Sequence, residues 1–339
     1  MFKSLIISSW RQLGRVLRII LWLVLWFFGL SITLFYMVRW LSGDYFLPVR
    51  IINYVLPWTL ILLIPSMIIT GLARRKWLLA ALAIPTFAIC FAFWPFFLPP
   101  NNTPPLTDSF SFKIMSHNLF FRQDTNAMLK VIRQQQPDIL LLQEIHPDLV
   151  SLPLDDLTDL YPDLYVDVVN QPEKAFVQAI LSRYPITRIG AEFDQGRVQK
   201  VRIDTPAGPV IIWNTHLLPP FGRVSQWHYQ QVDALVAEMA TVKGPFIVAG
   251  DFNVTDQSTT YRAINQYLNE AHHNAGWGFG FTFPAPPHGI KDIPIKPGLI
   301  YRIDHIFYSN HFIAHNAQTG ISSAGSDHLP VITVLSFVR

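Results

Sequence analysis

The sequence predicts an α+β domain of two packed β-sheets flanked by helices, placed behind three membrane-crossing helices. Two observations carry this. The first is a break in composition. Half of the 339 residues are hydrophobic and only 14% are charged, against about 25% in ordinary soluble chains. The shortage of charge is confined to the N-terminal part. Up to Lys76 there are nine Lys and Arg but a single acid, Asp44, so this part carries +8 and the remainder −5. All eleven His lie in the second part, and seven of the ten Trp lie at or before Trp94. The second observation is that short apolar runs recur from Phe110 onward and stop at polar residues. Such strands, with a few helices between them, pack as two sheets whose polar ends gather along one edge.

In the N-terminal part, residues 16–38, 51–73 and 77–98 are apolar runs. Each is long enough for a hydrocarbon layer that needs about 20 helical residues. Trp40, Trp77 and Trp94 stand near run ends, where indoles favour the interface. The first run is longer than a signal-peptide core and no small-x-small cleavage site follows it. Lys3, Arg11, Arg15 and Arg18 precede or open the first run, and Arg74, Arg75 and Lys76 lie between the second and third. Both clusters are expected on the cytoplasmic side, with Arg39 and Arg50 opposite. Three crossings then put everything after Leu98 outside the cytoplasmic membrane. Residues 1–98 are thus read as a membrane anchor, 99–109 as a Pro- and Asn-rich linker, and 110–339 as the globular domain. The one cysteine, Cys90, lies in an apolar run and is expected to be a small buried hydrophobe.

In the globular part, Phe110 to Ile114 alternates as a strand that ends at Ser116-His117-Asn118. Asp124 is placed to cap a helix carrying Met128, Leu129, Val131 and Ile132, which Pro137 stops. Residues 138–144 form an apolar strand ending in Glu144, and a helix is expected between Pro147 and Leu160. Residues 165–169 and 176–181 read as strands. Residues 198–203 and 210–213 read as a hairpin leading into Asn214-Thr215-His216-Leu217. Val232, Leu235, Val236 and Met239 share one face of a helix over 223–239. Phe246 to Val248 is a core strand, 259–268 a helix, 276–297 a long loop, 301–308 a strand, and the chain closes on an apolar strand to Val338. His272, His273, His311 and His315 are expected at the surface.

The chemistry centres on Val248-Ala249-Gly250-Asp251-Phe252-Asn253. On an extended backbone, residues two apart point to one side. Asp251 and Asn253 would then project together from a core strand end. The carboxylate suits proton removal from water, and the carboxamide suits donation to an anionic oxygen. A plain turn is the alternative, since Gly, Asp and Asn all form turns.

Seven short words stand in order along the chain: His-Asn-Leu at 117–119, Gln-Glu at 143–144, Ser-Arg-Tyr-Pro at 182–185, Asn-Thr-His-Leu at 214–217, Gly-Asp-Phe-Asn at 250–253, Arg-Ile-Asp-His at 302–305 and Ser-Asp-His-Leu-Pro at 326–330. Together they resemble the endonuclease/exonuclease/phosphatase superfamily over about two thirds of the chain. The resemblance implies a four-layer α/β/β/α sandwich of the deoxyribonuclease I type and a metal-dependent hydrolase of phosphoester bonds. Carried onto this sequence, Glu144 is the metal ligand, with Asn118 and Asp327 beside it, for Mg²⁺ or Mn²⁺. Asp251 orients and deprotonates the attacking water. Asn118, His216, Asn253 and His328 bind the phosphate, and Asp304 fixes the His328 tautomer. One departure concerns metal ligation: Phe120 stands where nuclease-like members often carry an acid.

The globular part is net acidic and shows no basic run, which counts against a nucleic-acid partner. An anchor and a short linker favour membrane lipids and a lipid-linked phosphate instead. The architecture resembles teicoplanin-resistance-type membrane phosphoesterases, which implies an undecaprenyl-pyrophosphate-like substrate. A phospholipase C- or sphingomyelinase-like phosphodiesterase, an extracytoplasmic nuclease and a catalytically inactive binding module are the alternatives. The segment with Trp277, Phe279, Phe281 and Phe283 is uncharged and aromatic. It either touches the bilayer or packs on its own domain.

Overall fold

A computed structural model describes residues 2–100, 110–121, 124–146, 154–171, 176–190, 197–290 and 296–338. The chain divides into two compact units, Met1–Pro95 and Phe96–Arg339. Most of the expected linker, and the first half of the helix expected after Pro147, fall outside the described residues.

The first unit holds α1 (Phe2–Ser42), α2 (Leu47–Val55), α3 (Leu60–Leu72) and α4 (Lys76–Phe93). Three segments, Trp10–Ser42, Leu47–Leu72 and Lys76–Phe97, are long and apolar enough to cross a membrane. The second is not one continuous α-helix. A 3-10 turn over Leu56–Thr59 separates α2 from α3, because Pro57 has no N–H to continue the ladder. Gly29 lets α1 and α4 meet closely, since a Cβ there would stand 2.8 Å from the Ala81 carbonyl oxygen. Arg50 is buried and donates to the carbonyls of Asp44 (2.9 Å) and Tyr45 (2.8 Å). Cys90 is exposed on α4 rather than buried. On a helix that is apolar on every side, an apolar position can face outward, so its apolar setting does not require a core.

The second unit contains β1 (Ser111–Asn118), α5 (Thr125–Gln135), β2 (Ile139–Ile145), β3 (Tyr165–Gln171), β4 (Phe176–Ser182), β5 (Ile186–Arg188), β6 (Val198–Thr205), β7 (Gly208–His216), α6 (Ser225–Met239), β8 (Phe246–Asp251), α7 (Thr259–Asn265), β9 (Asn269–Glu270), α8 (Ala271–Ala275), β10 (Asp304–Tyr308), β11 (Phe312–Thr319) and β12 (Val331–Phe337). Asp124 caps α5 as its sequence predicts, accepting from the Asn126 and Ala127 amides. The helix at 259 is shorter than expected and ends at Asn265.

Two mixed six-stranded sheets result, in the orders β11-β12-β1-β2-β4-β3 and β5-β6-β7-β8-β10-β9. Ile114, Leu141 and Ile180 of the first sheet share a core with Val201, Ile212, Ile247 and Ile306 of the second. The outer face of the first sheet packs on Met128, Leu129, Val131 and Ile132 of α5. The outer face of the second packs on Val232, Leu235 and Met239 of α6 and on Tyr261 and Ile264 of α7. This is the expected four-layer sandwich.

Parallel pairing of β1 with β2, and of β7 with β8, places their C-terminal ends together. β10 runs antiparallel to β8 with Asp304 opposite Asp251, so its first residue meets their last. Gly250 makes the approach of β8 to β7 possible. Its φ is +146°, and a Cβ there would stand 1.9 Å from the Thr215 carbonyl oxygen.

His272 and His315, expected at the surface, are buried. His272 packs beside Glu270 and Arg302 and bonds the Gly278 carbonyl. His315 lies on β11 and bonds the Ser336 hydroxyl at 2.6 Å.

Candidate active site

Asp251 ends β8 at 1% exposure and is the hub of the strand-end residues. Its Oδ2 accepts from Asn118 Nδ2 at 3.0 Å, a bond from the first sheet to the second. The same Asn118 amide lies 3.3 Å from Glu144 Oε1. Glu144 sits where β2 loses register with β4, in left-handed backbone of φ +51°. Such a bulge re-aims a side chain that regular alternation would place elsewhere. His216, the last residue of β7, has its Nε2 3.1 Å from Glu144 Oε1 and 4.0 Å from Asp251 Oδ2.

Asp304 Oδ2 accepts from His328 Nδ1 at 2.8 Å, which fixes the ring. His328 Nε2 then faces Asp251 Oδ2 at 3.9 Å and Asp327 Oδ1 at 3.8 Å. The structure therefore brings Asn118, Glu144, His216, Asp251, Asp304, Asp327 and His328 to one edge of the sandwich.

Asn253 joins them by a different route from the extended one expected. Its φ is +54°, and its backbone N–H donates to Asp251 Oδ1 at 2.8 Å. This is an Asx-type turn, so the turn and the site are one feature. The Asn253 amide donates to the Leu217 carbonyl (2.9 Å) and lies 3.3 Å from Asp251 Oδ2. In this arrangement it braces the carboxylate.

The electrostatics push these groups apart. Burial raises the Asp251 carboxyl to about 6; His328 and His216 oppose the shift and Asp304 adds to it. Burial disfavours a charged His328, but Asp304, Asp251 and Asp327 outweigh it and raise the ring to about 10. Burial would raise Glu144 as well, yet His216, His328 and Asn118 hold it down at about 2. Asp327 is raised, chiefly by burial and with help from Glu144. At neutral pH the edge thus offers an ionised Glu144, an imidazolium at His328, and Asp251 close to its proton-transfer range.

Two carboxylate oxygens here, Asp304 Oδ1 and Asp327 Oδ1, are buried without a hydrogen-bond partner among the described residues. Buried anionic oxygens left unpaired fit a hard cation. Ligand atoms of Asp251, Asp304 and His328 lie within 4.8 Å of one another, close enough to ring an ion. Asp304 already engages His328 Nδ1, so the ring reaches such an ion only through Nε2, which faces Asp251 and Asp327. Glu144 and Asp327, the ligands that the sequence words imply, lie at the same edge, and Asp327 Oδ1 is one of the unpartnered oxygens. Asn118 Oδ1 already accepts from the Phe120 N–H at 3.0 Å.

Several supports lie inside the sequence words but were not singled out. Ser326 Oγ donates to the Asn118 carbonyl (2.6 Å) and accepts from the His328 N–H (3.0 Å). His117 Nε2 lies 3.1 Å from the His328 carbonyl oxygen. Gln143 Nε2 donates to Ser116 Oγ (3.1 Å) and Asn214 Oδ1 (2.6 Å), tying the sheets behind the site. The word at 182–185 is elsewhere. Arg183 pairs with Asp138 at 3.0 Å, beside the start of β2, whereas Glu144 lies near its end.

A buried carboxylate–imidazole pair thus stands beside a second acidic set at the common edge of two mixed sheets. The family model described as "Endonuclease/Exonuclease/phosphatase family" matches residues 115–328. The chain belongs to this family, whose members are metal-dependent phosphoester hydrolases. The fold matches the 3′ phosphatase NExo from Neisseria, determined with a product DNA hairpin, at TM-score 0.54 and 18% identity over 67% of this chain and 100% of that one. It matches an endonuclease/exonuclease/phosphatase from Bacteroides vulgatus at TM-score 0.52 and 19% identity (68% and 100%). An AP endonuclease from Archaeoglobus fulgidus matches at TM-score 0.51 and 19% identity (67% and 100%). No curated protein matches the sequence.

Proposed function

We propose that this is a membrane-anchored, Mg²⁺-dependent phosphoesterase whose extracytoplasmic site hydrolyses a lipid-linked phosphoester or pyrophosphate. The observation that carries it is the Asn118–Asp251–His328–Asp304 chain of contacts joining both sheets. Asp251 takes the proton of the attacking water through a carboxylate oxygen, and the Asn253 N–H holds that carboxylate in place. His328 presents its Nε2 proton to the phosphoryl oxygens as charge builds, while Asp304 holds Nδ1. His216 adds a donor from the Glu144 side, and Asn118 steers both carboxylates. Glu144, oriented by Asn118, and Asp327 would hold the divalent cation, which when bound neutralises phosphoryl charge.

Three apolar segments support the membrane reading, and the basic clusters at 3–18 and 74–76 support the outward-facing site. The Neisseria and Archaeoglobus proteins act on nucleic acid by their names. At 18–19% identity they support the fold only, and the net −5 of the chain after Lys76 favours a smaller phosphate.

The test is release of phosphate or headgroup by the full chain with Mg²⁺, over undecaprenyl pyrophosphate, phospholipids, sphingomyelin and duplex DNA. Turnover of a lipid phosphate that EDTA abolishes is expected. Cleavage of DNA alone would overturn the substrate reading.

A further inference from the structure

We propose that Phe97, Trp277, Phe279 and Phe281 form a bilayer-contacting surface that leads from the lipid headgroup plane to His328. Lys76–Phe97 has the length and hydropathy of a membrane span, and Phe97 is its last residue. The end of a span lies at the hydrocarbon boundary, where aromatic rings collect. Phe97 is also part of the catalytic unit. Its ring centroid is 6.1 Å from that of Trp277 and 5.1 Å from that of Phe279. Phe279 stacks on Phe281 at 4.9 Å. The Gly278 N–H donates to the Phe96 carbonyl at 2.6 Å, fixing the two strands of chain together.

Whatever depth Phe97 takes, the Trp277 and Phe279 rings stay within 6.1 Å and 5.1 Å of it, and Phe281 follows through its stack on Phe279. The segment suits that position. Trp277 is 65% exposed, and 271–290 contains no Asp, Glu, Lys or Arg. An exposed indole on an uncharged loop is costly against water and favourable at a headgroup layer.

The same loop runs straight into the site. Two residues beyond Phe281, the Phe283 ring lies 4.9 Å from the His328 imidazole. Between them Thr282 accepts from the Leu329 N–H at 2.8 Å and, through Oγ1, from the Ile303 N–H at 3.2 Å. These bonds hold the loop to the words carrying His328 and Asp304. A phosphate whose lipid tail stays in the bilayer therefore reaches His328 along this loop. This last step rests on the lipid-linked reading above; the surface itself does not.

The test uses the full chain in nanodiscs of phosphatidylethanolamine with phosphatidylglycerol. In a Cys90→Ala background, a nitroxide is attached through Trp277→Cys and, as control, through Tyr267→Cys, an exposed site outside this loop. Oxygen and a nickel chelate are then compared as relaxants. The label at 277 is expected to be oxygen-accessible and nickel-shielded, and the label at 267 the reverse. Equal nickel access at both positions would overturn the surface, whatever the enzyme hydrolyses. Shielding at 277 from contact with a second copy would vanish on dilution to one chain per disc, and that result would overturn it too. If shielding holds but no lipid phosphate is turned over, the substrate reading fails and the surface stands. Trp277→Ser with Phe279→Ser is expected to lower turnover of vesicle-embedded substrate while a soluble phosphodiester is cleaved as before.

Discussion

Arg302 and Asp304, two residues apart, belong to two buried charged groups of opposite character. Arg302 pairs with Glu270 at 2.9 Å. Burial alone would raise Glu270, but Arg302 and His305 pull it far below the usual carboxylate range. Burial opposes the charge on Arg302 too, and Glu270 more than restores it. The guanidinium lies over the Phe96 ring at 5.2 Å. Glu270 also faces His305 Nδ1 at 3.6 Å, and two Arg302 nitrogens have no hydrogen-bond partner among the described residues, yet both charges are held away from neutrality. The Asp304 group shares its charges unequally. His328 faces three carboxylates, Asp251 is held high, and two oxygens lack partners among the described residues. A pair that stays charged through neutral pH locks structure, whereas a set whose Asp251 carboxyl is raised to about 6 leaves a proton to exchange.

Removing His328 is the largest way to break the contrast. His328→Gln is expected to lower kcat by about 10²–10³-fold, the scale of losing one charge-stabilising donor, with folding retained by circular dichroism. Arg302→Met should leave an unpaired Glu270 and cost about 3–5 kcal/mol of stability in thermal melts. Replacing both partners, as Glu270→Leu with Arg302→Met, should recover most of it. The same pairwise exchange at Asp304 and His328 would restore no activity.

These two groups were unequally legible in the sequence. The strand-end residues announce themselves because apolar runs stop at Asn118, Glu144, His216 and Asp251, whereas the register that sets Asp304 against Asp251 belongs to the fold. Glu270 gives no such signal. It lies 32 residues from Arg302 on a two-residue strand, so only the tertiary fold pairs them. β11 was missed for a physical reason. A register shift between Ala314 and Asn316 reverses its in-out phase at His315, so no alternation runs its full length. The three long apolar segments were readable from the sequence, but the break at Pro57 was not, since prolines at 65 and 85 stay inside their helices. The Asp251–Asn253 neighbourhood was expected from extended geometry and is produced by a turn.

A pH series sharpens the comparison further. His328 titrates near 10 in the folded chain against an ordinary 6.5. Its stabilising contribution is complete below about 6.5 and is lost as pH rises through about 10. Activity should fall across the same alkaline limb, and the stability advantage of wild type over His328→Gln should vanish there. The Glu270–Arg302 pair should leave both curves unmoved between these limits. The smallest effect is expected at the edge of the cation site. Glu144→Gln should raise the Mg²⁺ concentration for half-maximal activity by about 10–100-fold, with a modest change in kcat at saturation.

The most direct measurement is single-turnover hydrolysis by Asp251→Asn beside wild type, on whichever lipid phosphate the full chain cleaves. Asp251 is held ionised against the effect of its burial, so the variant should melt no lower than wild type at neutral pH. Its rate should fall by about 10²–10⁴-fold. A well-folded Asp251→Asn protein that hydrolyses at the wild-type rate would contradict the account.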